Sequence, residues 1–248
     1  MGNRVAVVTG GGAGMGFAIA QHLARRGDRV AIIDLNAEVA EQAAATIGAE
    51  GGTAIGCGAD VADRAAVAAA YERIRAELGP IEILVTSAGI DRFTPFTEIS
   101  VDEWNQMIAV NLTGTFHCIQ LAIPDMLAAN FGRILTISSS SAQSGAKKMS
   151  HYVASKGGVV GLTKALAVEY ARNGITVNTI PPGFIDTPMS RRAEERGDLP
   201  SIDVVAAHSP MGRAGTPDDI GVAAAFITSD EAGYITGQSI NVNGGLYL

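Results

Sequence analysis

Five of the seven residues from Gly10 to Gly16 are glycine, and they stand between a β-branched run at 5–8 and a helical spacing of Phe17, Ile19, Ala20, Leu23 and Ala24. So many glycines cost chain entropy that a plain turn does not require. A strand that runs through such a turn into a helix brings free backbone amides and the positive helix end to one point, where a diphosphate fits. The spacing is Gly10-x3-Gly14-x-Gly16 rather than the G-x-G-x-x-G fingerprint. A tight turn without a ligand is the plainer alternative.

The same alternation continues along the chain. Strand patterns are predicted at 30–33, 53–58, 81–85, 133–137, 175–180 and 238–242, and helices at 37–47, from an Asp cap near 60–63 to 78, from 101 to about 130, at 152–172 and at 217–229. Continuously apolar strands alternating with helices imply a mostly parallel sheet covered on both faces. The predicted class is α/β, a doubly wound (Rossmann) sheet whose ligand crevice lies at the carboxyl ends of its strands. No linker, repeat or shift in composition divides the 248 residues, so 1–248 reads as a single domain.

A formal charge of −7 with no cluster of Lys and Arg argues against nucleic acid and anionic membrane surfaces as partners. Cys57 and Cys118 are isolated, and no Cys or His stands at metal-ligand spacing. No apolar leader is recognisable, and no apolar stretch is expected to approach the roughly 20 residues that span a bilayer. A soluble cytoplasmic protein is the expectation.

Two side-chain patterns carry chemistry. Tyr152 and Lys156, four apart in a predicted helix, fall on one face. A cation beside a phenol favours phenolate and is expected to lower its pKa, which makes Tyr152 a candidate acid/base. The bland reading is a ring on a core face and a solvated amine. Asp34 closes the second strand, 18 residues after Gly16, where a carboxylate can accept from ribose hydroxyls and repel a 2′-phosphate. Leu35 follows it in place of an arginine. NAD is therefore favoured over NADP, with a simple turn-capping role for Asp34 as the alternative.

Thr9-Gly10-x3-Gly14-x-Gly16 together with Tyr152-x3-Lys156 resembles the classical short-chain dehydrogenase/reductase family over essentially the whole chain. The resemblance implies a catalytic serine 13 positions before the tyrosine, at Ser139, with Ser138 its rival, and a catalytic Asn111 that positions a water. It implies cofactor contacts from Gly10, Gly12, Ala13, Gly14, Met15 and Gly16 in the phosphate loop. Further contacts would come from Asp34, Leu35, Asp60, Val61, Ser87, Ala88, Gly89 and Val110, from Tyr152 and Lys156, and from Pro182, Gly183, Ile185 and Thr187. Thr86-Ser87 replaces the family's usual Asn-Asn, which puts the bracing of the central strands in doubt, since hydroxyls make fewer bonds than carboxamides.

The implied activity is hydride transfer between a nicotinamide and a secondary alcohol or ketone. Residues 184–210 are expected as a substrate lid. Ser139, Ser141, Gln143, Met149, Phe184 and Met189, with Phe93 and Phe96, would form a largely apolar pocket. That pocket suits a hydrophobic, cyclic or β-hydroxyacyl(-CoA) substrate. A 3-oxoacyl carrier-protein reductase and a non-catalytic dinucleotide sensor are the alternatives. Of the histidines, only His151 is placed to reach the active-site mouth. A homotetramer is implied, with small-residue faces on the helices at 101–130 and 152–172 and a second face at the C-terminal segment 243–248.

Overall fold

The computed structural model describes residues 3–247, so Leu248 of the expected C-terminal interface lies outside the described residues. Six strands form one parallel sheet: β1 (Val5–Thr9), β2 (Arg29–Asp34), β3 (Thr53–Gly58), β4 (Ile83–Thr86), β5 (Gly132–Ile137) and β6 (Ile175–Ile180), in the order β3-β2-β1-β4-β5-β6. Their side chains alternate between two cores, because successive residues of a strand point to opposite faces. Val5 and Val7 enter one, against α3 (Arg64–Glu77), α5 (Gly114–Ala129) and α7 (Ser150–Tyr170). Ala6 and Val8 enter the other, against α1 (Gly14–Arg25), α2 (Ala37–Ala49) and α10 (Pro217–Ile227).

The chain winds outward from β1 to β3, then returns to lay β4 on the other side of β1. Thr9 and Thr86, the last residues of β1 and β4, are register partners. The turns after these two strands therefore diverge from one point, and a crevice opens between them.

The described structure departs from expectation in four places. Residues 238–242 run beside β6 but form isolated bridges, Thr179 to Ser239 and Pro182 to Val242, rather than a seventh strand. Pro181 and Pro182 have no N–H to continue the ladder at the end of β6. The run 101–129, expected as one long or two consecutive helices, is two, α4 (Val101–Ile108) and α5, and the unexpected part is the π-helical turn (Ala109–Thr113) that joins them. By length and composition that run is apolar enough to cross a membrane, against expectation, but Cys118, Ile119, Ala122 and Met126 of α5 are buried in the core beneath the sheet. Three short helices appear that periodicity does not reveal: α6 (Ser141–Ser144), α8 (Pro188–Glu195) and α9 (Ile202–Ala207). The second of these is set by local chemistry, because Thr187 and Ser190 form a reciprocal capping box and Pro188 occupies the first turn.

Candidate active site

The glycine turn packs backbone on backbone. Gly10 adopts φ +62°, and a Cβ there would lie 2.7 Å from the Ala88 Cα of the turn after β4. A Cβ on Gly16 would collide with the Gly10 carbonyl. The Ala88 amide donates to the Thr9 hydroxyl at 3.2 Å, locking the two turns together. Ala13, the N-cap of α1, makes no side-chain capping bond, and no acidic residue stands in the first turn of the helix. Its terminal amides face a groove of about 520 Å³.

Most of the expected cofactor residues line that groove: Gly10, Ala13, Gly14, Met15, Gly16, Asp34, Leu35, Asp60, Val61, Ser87, Ala88, Gly89, Val110 and Thr187. Gly12 stands behind it, with its amide donating to Asp34 Oδ2 at 3.1 Å, and a Cβ there would meet that carboxylate at 2.8 Å. The uncapped helix end, the glycines that leave no room for side chains and the carboxylate at the tip of β2 fit a dinucleotide. Pro182 and Gly183 sit at the end of β6, where a Cβ on Gly183 would meet the Asn243 backbone. Ile185 is buried in the core rather than at the groove wall.

Lys156 lies behind the groove wall at Gly89, one helical turn on from Tyr152. A Cβ on Gly89 would lie 3.4 Å from Lys156 Nζ and 3.2 Å from Asn111 Oδ1. Lys156 is buried and donates to the Ile137 carbonyl at 2.8 Å. Burial lowers its pKa to about 8. Its ammonium is 5.9 Å from the Tyr152 ring centre.

The expected depression of the tyrosine is not what the chain by itself produces. Burial raises the Tyr152 hydroxyl to about 12, a hydrogen bond with Ser139 pulls the other way, and the negative charge of Asp91 raises it further. Withdrawal of the phenol from water sets the direction, although the residue as a whole is only partly buried.

Ser139, not Ser138, faces Tyr152. The Ser138 hydroxyl is buried and donates to the Ile180 carbonyl at 3.3 Å, whereas Ser139 Oγ is 2.8 Å from Ser141 Oγ and is the serine that acts on the Tyr152 hydroxyl. Asn111 is wholly buried in the π-helical turn. Its Oδ1 accepts from the Ile90 amide at 2.9 Å, while Nδ2 donates to the Ile90 carbonyl at 3.0 Å and to Ser155 Oγ at 3.1 Å.

The apolar substrate pocket does not assemble as expected. Met189 lines the dinucleotide groove, and Phe184 lines a separate cavity of about 250 Å³ with Val205, Met211 and Leu246. Met149 is buried, Phe96 is 75 % exposed, and Gln143 donates to Asn241 Oδ1 at 3.0 Å. His151 does not reach the mouth either: it is fully buried, with Nε2 3.0 Å from Glu103 Oε1. Ile90, Gln106, Pro188 and Arg192 also line the groove, and of these Gln106 and Pro188 carry no signal in the sequence.

Comparison with known proteins agrees with this geometry. Residues 10–247 match a family model described as Enoyl-(Acyl carrier protein) reductase. The chain is 42 % identical over 242 residues to D-threitol dehydrogenase of Mycolicibacterium smegmatis, covering 98 % of this chain and 92 % of that one. It is 38 % identical over 247 residues to the 3-oxoacyl-[acyl-carrier-protein] reductase of Escherichia coli, covering 99 % and 98 %. Among solved structures, that of gox2181 superposes with a TM-score of 0.94 at 33 % identity, covering 99 % of this chain and 96 % of the other.

Proposed function

The chain belongs to the classical short-chain dehydrogenase/reductase family, and on that premise we propose that it interconverts a secondary alcohol and a ketone with NAD(H). The observation that carries this reading is Ser139 beside Tyr152, with Lys156 one helical turn on and against Gly89 in the wall of a groove shaped for a dinucleotide.

When bound, the dinucleotide supplies the hydride acceptor or donor. Ser139 Oγ and the Tyr152 hydroxyl hold the substrate oxygen between them. In reduction the Tyr152 phenol gives its proton to that oxygen as the carbonyl carbon gains hydride. In oxidation the phenolate takes the hydroxyl proton. A phenol at about 12 arrives loaded for donation, and Ser139 stabilises the charge that develops on the substrate oxygen. Lys156, charged at neutral pH with a value of about 8, favours the phenolate in the opposite direction. The Asn111 side chain donates to the Ile90 carbonyl and Ser155 and accepts from the Ile90 amide. We assign it the holding of the loop wall at Ile90.

Asp34 supports NAD over NADP. Its Oδ2 faces the Gly12 amide and Leu35 beside it is exposed, so the tip of β2 presents a carboxylate and no cation where a 2′-phosphate would sit. The likeness to a 3-oxoacyl-[acyl-carrier-protein] reductase favours a carrier-protein reductase as the second reading. The C-terminal turn of α5, Met126-Leu-Ala-Ala129, offers no basic side chain to an acidic carrier. The expected hydrophobic, cyclic or β-hydroxyacyl(-CoA) substrate loses support from the scattering of the apolar residues. We further propose a cytoplasmic homotetramer.

Initial rates with NAD+ and with NADP+ on a panel of secondary alcohols, followed by the absorbance of the reduced nicotinamide, test the proposal. Turnover with a kcat/KM preference for NAD+ is expected. Equal use of NADP+ would reject the role of Asp34, and binding without turnover in either direction would leave a dinucleotide sensor.

A further inference from the structure

Among the residues that line the dinucleotide groove, Arg192 of α8 carries the one basic side chain, while Asp34 and Asp60 are acidic. A diphosphate brings two more negative charges into this groove. Against them the glycine loop sets backbone amides and the end of α1, worth about half a unit of positive charge. Arg192 is the full positive charge that lines the same groove.

Its helix begins beside the loop. A Cβ on Gly14 would lie 3.6 Å from Thr187 Cβ and 3.6 Å from Pro188 Cδ. Arg192 follows Pro188 by four residues and so shares its helix face. Helical side chains lean back toward the N-terminus of their helix, which directs the Arg192 stem toward Pro188 and Gly14. The capping box of Thr187 and Ser190 fixes the first turn of α8, and the fully buried Ala193 anchors its other side. The neighbouring arginines are engaged elsewhere: Arg191 with Asp186 at 2.6 Å, and Arg196 with Asp198 at 2.8 Å and Asp91 at 3.7 Å. Arg192 is exposed, and among the described residues no carboxylate stands within ion-pair distance of it.

We propose that Arg192 binds the diphosphate of the cofactor, so that the glycine loop holds it through backbone amides and α8 holds it through a charge. The inference rests on the dinucleotide reading above. A guanidinium presents a planar fork that matches two phosphate oxygens, and it stays charged at every working pH. An anionic group on the substrate is the alternative ligand. The approach of Thr187 and Pro188 to Gly14 favours the cofactor, because it sets α8 against the loop that receives the diphosphate. The start of the segment expected as a substrate lid thereby belongs to the cofactor site.

The test titrates the purified full-length protein and its Arg192→Gln variant with NADH, ADP-ribose and adenosine, read by the fluorescence of bound NADH and its displacement. Glutamine is a good helix former at an exposed position, so the fold is kept. The dissociation constants of NADH and ADP-ribose, which carry the diphosphate, should rise roughly threefold to thirtyfold, between the loss of an exposed ion pair and that of a charged hydrogen bond, while that of adenosine, which lacks it, stays within about twofold. Arg192→Lys keeps the charge without the fork and should recover part of the affinity. Added salt should weaken NADH binding more steeply in the wild type than in Arg192→Gln. Arg191→Gln, which alters the neighbouring cation, should leave all three constants in place. Unchanged NADH and ADP-ribose constants in Arg192→Gln, an equal weakening of adenosine, or an equal loss in Arg191→Gln would overturn the assignment and leave the dehydrogenase reading intact. An unchanged NADH constant with a raised KM for an anionic substrate would overturn it in favour of the substrate. A wild type that binds NADH but turns over neither alcohols nor ketones would reject the dehydrogenase reading and leave the test of Arg192 in force. A wild type that binds neither NADH nor ADP-ribose would reject both.

Discussion

Tyr152 and Lys156 show what a spacing can and cannot reveal. Four residues on one helix bring the amine to 5.9 Å from the ring, as the sequence implies. The solvent around them is set by residues distant in the chain, so the rise of the phenol to about 12 was not legible there. Ser139 was legible only up to its neighbour, because the choice between adjacent serines depends on which one turns inward to Ile180. Tyr152→Phe removes the one proton the mechanism moves. It should lower kcat by roughly a hundredfold to ten-thousandfold, while the dissociation constant for NADH, read by nucleotide fluorescence, stays within about twofold of wild type. Lys156 makes a separate prediction about folding. Its native pKa, about 8, lies below its ordinary 10.5, so between these values the unfolded chain binds more protons than the native one. Stability contributed at this site therefore rises with pH from about 8 to 10.5, and below 8 the penalty of the buried charge is present in full. Chemical denaturation of wild type and Lys156→Gln, without cofactor, should show the wild type gaining on the variant by up to about 1.4 kcal/mol per pH step across that window. A constant difference would mean that the amine stays solvated.

At the scale of elements, the six parallel strands and the long helices were legible because each is a run of buried side chains at one period. The π-helical turn at Ala109–Thr113 was not, since no residue type marks it and its reason is tertiary: it carries Asn111 to the Ile90 backbone. The predicted strand at 238–242 failed on the other side of the pairing, where two prolines interrupt β6's continuation. Thr86 tests how elements tolerate an imperfect residue. It replaces an amide that the family uses to brace the central strands, it is 3 % exposed, and its hydroxyl has no hydrogen-bond partner among the described residues. A buried hydroxyl without a partner costs about 1–3 kcal/mol. Thr86→Val keeps the shape of the side chain and removes the polar atom, so it should raise stability by about 1 kcal/mol, seen as a higher denaturation midpoint at unchanged slope. A loss of stability would show that the hydroxyl is satisfied in solution, for instance by water.

For the whole molecule, the site exists because the winding of the chain reverses between β1 and β4, so that the turns after those strands part to form the groove, while α7 supplies Tyr152 and Lys156 and the π-helical turn supplies Asn111. That logic accounts for one surface of the chain and leaves another unexplained. On α7, Gly157 and Gly161 face open space, and Val168, further along the same helix, is 84 % exposed, while Gly158 instead packs on Leu112. Positions 157, 161 and 168 are spaced by four and seven, so they share one face, together with the exposed Lys164, on a helix whose opposite side carries Tyr152. Glycines without a covering neighbour allow a second helix to approach closely, and an exposed valine gains from being covered. The homotetramer proposed above would seat the helix of another copy here, burying the back of the helix that bears Tyr152. Light scattering on the eluting wild-type protein should therefore give an oligomer, a tetramer if the C-terminal segment supplies the second face. Val168→Glu would place charges opposite one another across a twofold contact. It should reduce the mass by at least half at micromolar protein, with kcat falling alongside the fraction of assembled protein. A wild type that elutes as a monomer, or a glutamate variant of unchanged mass, would show that this stripe meets only water.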